Sequence, residues 1–215
     1  MKVYTVIDLE MCKSDNKSYG YNQETIQIGA VKLNENFEII DKLNIFVKPE
    51  YGHVDSFIEK LTGITDYDLK TSISFNEALE KMFSWIGDND NTFVSWSRSD
   101  AQQINREAKA KKILIKDIDK ILNDWLDCQK MYGMKLDTKR AYSLHEAIIA
   151  TDIKALDNEH DGLADAYNTA LIFKKVMTEE KLILNKEYEK AKNEEREVLT
   201  SPLGELFKDL KLEFD

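Results

Sequence analysis

Apolar and polar positions change period several times along the chain. Val3-Tyr4-Thr5-Val6-Ile7 is a short continuous apolar run ending in acid, which predicts a buried strand over Lys2 to Leu9. Met11 to Gln23, rich in Ser, Asn, Lys, Tyr and Gly, reads as a loop. Ile26, Ile28 and Ala30 then alternate with polar neighbours as a half-buried strand. Asn34-Glu35-Asn36 turns that strand into a third, Phe37 to Val47, which Pro49 stops. From Val54 the period becomes helical. Ser74-Phe75-Asn76-Glu77 is a capping box opening a helix that Gly87 can close, and Asn91 to Trp96 is a fourth strand. Ser97 or Ser99 can cap the next helix, with Ala101, Ile104 and Ala108 on its inner face and Arg106, Lys109, Lys111 and Lys112 in water. A fifth strand is expected at Ile121 to Leu126. Ser143-Leu144-His145-Glu146 is a second capping box, and after a connection around Asn158 a long helix is expected from about Leu163 to about Met177. Strands first, then helices interleaved with strands, predict a mixed five-stranded α/β sheet flanked by helices in residues 1–178. Residues 179–215 are rich in Glu and Lys, with a stripe of Leu203, Leu206, Phe207, Leu210 and Leu212, and read as an appended helical tail.

Composition narrows the function. With 42% hydrophobic residues in 215 positions, one self-supporting core is expected, without disulfides or a metal clip. Thirty Lys+Arg against forty Asp+Glu give a net charge of -10, which argues against a broad basic surface for duplex phosphate. Nucleic acid stays in play, because an enzyme that takes only a strand end needs few phosphate contacts and metal ions can bring positive charge into an acidic cleft. Cys12 and Cys128 make neither a disulfide framework nor a zinc motif, so a reducing cytoplasm is the expected location. Asp8 and Glu10 interrupt the first apolar run too early for an export signal, and no membrane association is expected.

The chemistry-bearing residues lie at strand ends and helix starts. Asp8 and Glu10, two apart on a strand, point to one face and bring two carboxylates together, a costly arrangement that a hard cation such as Mg²⁺ or Mn²⁺ would relieve. Alone, the pair also reads as a strand running into a polar loop. Asp100, directly after the fourth strand, also reads as an acid favoured by a helix dipole. In His160-Asp161-Gly162-Leu163-Ala164-Asp165-Ala166, a histidine precedes a helix and Asp165 sits on a face of Ala and Leu, where an unpartnered acid is costly. The ordered set is harder to explain piecemeal than any one member.

That set resembles the DnaQ-like, or DEDDh, 3′→5′ exonucleases of the ribonuclease H-like superfamily. Val3 to Glu10 is similar to the family's first motif, Glu24-Thr25-Ile26-Gln27-Ile28-Gly29-Ala30-Val31 to its next strand, and Leu61-Thr62-Gly63-Ile64-Thr65 to its loop. Val94-Ser95-Trp96 through Asp100 resembles the second motif and His160 to Asp165 the third, in a flavour most like the Eri-type and KapD-like branch. The resemblance covers about residues 1 to 178 and implies a ribonuclease H-like fold. It implies that Asp8, Glu10 and Asp165 hold two divalent cations, Mg²⁺ or Mn²⁺, that Asp100 completes the site directly or through water, and that His160 is the general base. The implied reaction releases nucleoside 5′-monophosphates one at a time from a 3′ end, with single-stranded RNA slightly favoured over DNA. By resemblance Leu61, Thr62 and Ile64 wall the terminal-base pocket, with Leu9, Met11 and Trp96 as further substrate contacts. Leu61 and Ile64 read equally as core, and Trp96, on a buried strand, reads more readily as core than as a contact. Met11 stands where many proofreading members have Thr, which points away from DNA proofreading.

Other readings remain at this level. A regulatory adaptor could keep such a fold as a binding surface, although it would have no need of mutually repelling acids. A proofreading subunit could bind a polymerase through residues 179–215, and that tail could equally pack on its own domain or mediate dimers. The lysines of 109–112 and 135–140 read as a solvated face, and His53 and His145 as ordinary loop and helix residues.

Overall fold

The computed structural model of the protein describes residues 1–15, 22–156 and 160–190. The chain opens with β1 (Lys2–Ser14), β2 (Gln23–Leu33), β3 (Ile39–Phe46) and the two-residue β4 (Gly52–His53). Helices α1 (Ser56–Thr62), α2 (Asp66–Leu69) and α3 (Phe75–Ile86) lead to β5 (Asp90–Ser95). Then come α4 (Ser99–Ala110), α5 (Ile118–Asp124), β6 (Leu126–Asp127), α6 (Cys128–Lys135), α7 (Leu144–Ala150) and α8 (Gly162–Thr178). The sheet order is β3-β2-β1-β5-β6, with β4 pairing onto the end of β1. β1 runs antiparallel to β2 and parallel to β5, so a mixed sheet of six strands forms around it.

Alternation along β1 sorts the two faces. Ile7 and Leu9 join Ile28, Ala30 and the inner sides of α3 and α4 in one core. Val6, with Val31 and Leu33, packs under α6, α7 and α8 in the other. Asp8 and Glu10 share the parity of Val6 and therefore face α8. Between Glu10 and Met11 the register slips: Glu10 opposes Gln27 but Met11 opposes Thr25, leaving Ile26 as an extra residue on β2.

Most expected elements are present. Ser74 and Ser143 make the capping boxes of α3 and α7, and Gly87, at φ 69°, ends α3. The differences have physical causes. β1 continues through Ser14 instead of ending at Leu9, because the polar segment after Met11 still pairs with β2 and β4. β2 is buried on both faces rather than half-buried, since helices cover each side of the sheet. The fifth strand expected at Ile121 to Leu126 is mostly α5; Ile121 and Leu122 pack on the core from a helix, and a short apolar run does not tell the two apart. Neither Ser97 nor Ser99 caps α4; Arg98 is its N-cap residue, and the two serine hydroxyls bond each other at 2.7 Å.

Lys111, expected in water, has a side chain only 10% exposed and lies 2.9 Å from both Glu24 and Glu107, whose carboxylates are fully buried. Burial would raise the Glu24 carboxyl, but Lys111 and the backbone N–H groups of Tyr51 and Glu50 hold it below the ordinary range. The helix carrying Asp100 is thereby tied to the start of β2. Past Thr178 the chain stays on the domain: Leu182 is buried under α8's core, and the Asn185 N–H donates to Ala150 at 2.7 Å. The apolar stripe expected at Leu203 to Leu212 and the connection around Asn158 lie outside the described residues. Among the described residues, no helix is long and apolar enough to cross a membrane.

Candidate active site

The end of β1 meets the start of two helices. A Cβ built on Gly29 would fall 2.0 Å from the Gly162 carbonyl carbon, so α8 begins in backbone contact with β2, directly beside Asp8. Only glycine at position 29 allows this approach; Gly162 is set less tightly, a Cβ there falling 3.1 Å from the Asp8 carbonyl oxygen. Gly29→Ala is expected to push α8 off the sheet and destabilise the fold by about 3 kcal/mol, as overpacking does; a urea midpoint unchanged from the parent would contradict the contact.

Asp161 is the N-cap of α8, its carboxylate accepting the Leu163 and Ala164 N–H groups at 2.9 and 3.1 Å. His160, just before it, sits at φ 61°, a left-handed conformation that costs a non-glycine residue roughly 1 kcal/mol or more. Its backbone N–H donates to Asp165 Oδ2 at 3.1 Å, which ties the turn before α8 to the first turn of the helix and leaves the residue exposed. Ligand atoms of Glu10, His160 and Asp165 all lie within 4.8 Å of one another.

Asp100 closes the site from α4. It is 6% exposed, accepts the Leu9 N–H at 3.1 Å through Oδ1 and the Ser99 hydroxyl at 3.2 Å through Oδ2. Burial raises its carboxyl to about 6 in spite of those bonds. Glu10 is pushed up to about 8, first by burial and then by the charges of Asp165 and Asp100. The Asp8 carboxyl stands well above its usual range, raised by burial and by Asp100, Asp165 and Glu10. These acids are desolvated and mutually repelling, and carboxylate oxygens with one imidazole are a donor set that Mg²⁺ or Mn²⁺ accepts. The residues present therefore fit a divalent cation centre.

The fold brings Asp8, Glu10, Asp100, His160 and Asp165 to one end of β1, with His160 beside Glu10 and Asp165. The expected substrate contacts divide. Leu9 offers only its backbone, its side chain being 4% exposed in the core. Ile64 is buried with Cys12, Ile26, Val54 and Leu69. Trp96 is a core residue packed by Tyr132 and Tyr142, its indole N–H donating to the Tyr142 carbonyl at 3.2 Å, which leaves little ring surface for a base. Met11, Leu61 and Thr62 keep exposed surface near the carboxylate end of β1, against which α1 packs. Gly63, at φ 72°, ends α1, and the Thr62 hydroxyl is engaged with the Ile58 carbonyl at 2.9 Å.

Sequence reasoning passed over Gln27, Gly29 and Gly162 as parts of the site. A lone glycine in a buried strand is a signal of close backbone approach, and Gln27 is a polar residue in a strand with no wet face. A groove of about 700 Å³ floored by Leu79, Phe83, Phe93 and Ile121 opens at the opposite end of β5, away from these acids.

The family model RNase_T, described as exonuclease, matches residues 5–173. ERI1 exoribonuclease 2 of Mus musculus is 27% identical over 191 residues, covering 78% of this chain and 27% of that protein. DNA polymerase III PolC-type of Caldanaerobacter subterraneus subsp. tengcongensis is 30% identical over 180 residues, covering 81% of this chain and 11% of the polymerase. The chain spans about a quarter or less of the length of these two curated relatives. Among solved structures, the nuclease domain of 3′hExo, a DEDDh family member bound to rAMP, superposes with a TM-score of 0.70 at 22% identity, covering 86% of this chain and 96% of that one. E. coli Exonuclease I in complex with a dT13 oligonucleotide gives a TM-score of 0.60 at 18% identity, covering 83% and 41%. These structural likenesses establish a shared ribonuclease H-like fold.

Proposed function

From this chain's membership of the exonuclease family whose model spans residues 5–173, we propose that it is a metal-dependent 3′→5′ exonuclease acting on single-stranded or short nucleic acid. The observation that carries the reading is the convergence of Glu10, His160 and Asp165 within 4.8 Å, beside the half-buried Asp8 and the buried Asp100. Asp8, Glu10 and Asp165 would hold two divalent cations, with Asp100 completing the set. When bound, such a pair acidifies the attacking water and balances charge on the scissile phosphate and the leaving 3′ oxygen. The chain's own part is positional and protonic. The carboxylates fix where the phosphate sits at the end of β1, and the buried surroundings keep their oxygens aimed inward. His160 stands exposed at the rim, anchored through its N–H, so its ring is free to take the proton of the attacking water; imidazole does this near neutral pH. Met11, Leu61 and Thr62 are the proposed contacts to the 3′-terminal nucleotide.

RNA is the favoured substrate over DNA, in keeping with the likeness to an exoribonuclease. A polymerase-linked proofreading role is the second reading, supported by the PolC-type relative. Purified protein incubated with 5′-labelled RNA and DNA single strands should give a ladder shortening from the 3′ end in Mg²⁺ or Mn²⁺, abolished by EDTA. His160→Ala should slow it roughly 10²–10⁴-fold, the range for loss of a general base. A folded, metal-binding protein that leaves both strands intact would move the reading to a regulatory protein on the same fold.

A further inference from the structure

Gln27 is 1% exposed in the same strand as the fully buried Ile26 and Ile28, where a side-chain amide is costly unless its oxygen and nitrogen are both bonded. Both are. Its Oε1 accepts the Gly162 N–H at 3.0 Å, and its Nε2 donates to Asn44 Oδ1 at 3.0 Å. Gly162 is the first residue of α8, with His160 and Asp161 immediately before it and Asp165 one turn on. In the β1–β2 register Gln27 lies directly across from Glu10, as Gly29 lies across from Asp8. One buried side chain is therefore tied both to the strand pair that presents Glu10 and to the helix that presents Asp165.

The first N–H groups of a helix have no partners within it. Asp161 serves those of Leu163 and Ala164, and Gln27 serves that of Gly162. An ionised acid at position 27 could accept the same N–H, but it would not donate to Asn44 and would add a further negative charge beside repelling carboxylates. A neutral amide meets both demands.

We propose that Gln27 is a positioning residue: by holding the start of α8 against β2, it sets the spacing between Glu10 and the pair His160 and Asp165 on which divalent-ion binding and hydrolysis depend. The catalytic consequence rests on the function proposed above, whereas the tie itself belongs to the metal-free fold. The test uses the full chain with three readouts: amide hydrogen exchange over Gly162 to Asp165, Mn²⁺ affinity by titration calorimetry, and hydrolysis of a 3′ end. Gln27→Met keeps the volume and removes the acceptor. It is expected to speed exchange at those amides, to weaken Mn²⁺ binding roughly 10–100-fold and to lower kcat by a similar factor, with KM for the oligonucleotide within about threefold.

Gln27→Glu retains an oxygen for Gly162 and should restore slow exchange, while Asn44→Ala, which frees only the amide nitrogen, should fall between. These two milder variants carry the comparison if Gln27→Met does not fold. A lowered melting temperature with exchange, Mn²⁺ affinity and kcat all unchanged would make Gln27 a core residue and overturn the proposal. If the parent protein binds Mn²⁺ but hydrolyses nothing, the functional reading falls, and the exchange and affinity measurements still decide the role of Gln27.

Discussion

Asp165→Asn should cut hydrolysis by about 10³-fold, the scale seen when one stabiliser of transition-state charge is lost, while raising the stability of the metal-free protein. The two effects share a cause. Asp165 is the foremost neighbouring charge raising Glu10 and is among those raising Asp8, so removing its charge relieves repulsion in a buried place. Asparagine keeps an oxygen to accept the His160 N–H, which preserves the turn before α8. The loss of rate would therefore reflect loss of a ligand rather than of the fold. Rates on a labelled oligonucleotide and melting curves in EDTA, taken on the same preparation, give both signs at once. Retention of more than about a tenth of the parent rate, far above the expected loss, would remove Asp165 from the metal set. A lowered melting temperature in EDTA would mean that the carboxylate is instead a structural partner.

The second large effect lies in pH and metal. Glu10 moves from an ordinary 4.5 to about 8 and Asp100 from 3.8 to about 6 on folding, and Asp8 also rises. Over that interval these acids keep protons in the folded chain that they have released in the unfolded one, so their contribution to the stability of the metal-free protein falls as pH rises from about 4 to about 8. Below that window the acids are protonated in both states and cost nothing. A divalent ion takes the deprotonated acids and reverses the trend. At 100 times its dissociation constant it contributes about 2.7 kcal/mol, or roughly 5–10 °C in melting temperature for a chain of this size. The lift should be largest at pH 8 and small at pH 5. Thermal denaturation at several pH values, with EDTA or with Mn²⁺, reads this directly. Equal melting temperatures in the two at pH 8 would mean that no ion is held.

The acidic cluster at the end of β1 was legible in the sequence because its members occupy places where acids are otherwise costly or unusual. Asp8 and Glu10 end a buried strand, and Asp165 interrupts a small-residue helix face. Each could be read by position along the chain. What escaped reading depends on contacts across it. Nothing near Lys111 in sequence announces that Glu24, far upstream, will need its charge, and the alternation that identifies β2 says nothing of which helix Gln27 will meet. The misread α5 is a different case: its apolar residues satisfy strand and helix patterns alike, and packing beside Trp125 decided between them. Trp96 shows the converse limit, since an aromatic next to a candidate site motif is as readily core as ligand contact, and the Tyr142 carbonyl claims its only donor.

The slip of register at Ile26 bears on how such a site can vary. A strand that shifts by one residue turns every side chain to the wrong face, and in an uninterrupted hairpin any change in the connection between Lys13 and Gln23 threatens to travel inward to Glu10 and Asp8. The extra residue acts as an expansion joint. Inside it, Asp8 with Gly29 and Glu10 with Gln27 form a frame whose pairing is locked by α8; outside it, Met11 to Lys13 pair on their own phase. Lengthening or trimming the connection can be absorbed at the joint, so the strand beyond Glu10 is free to diversify while the acids keep their alignment.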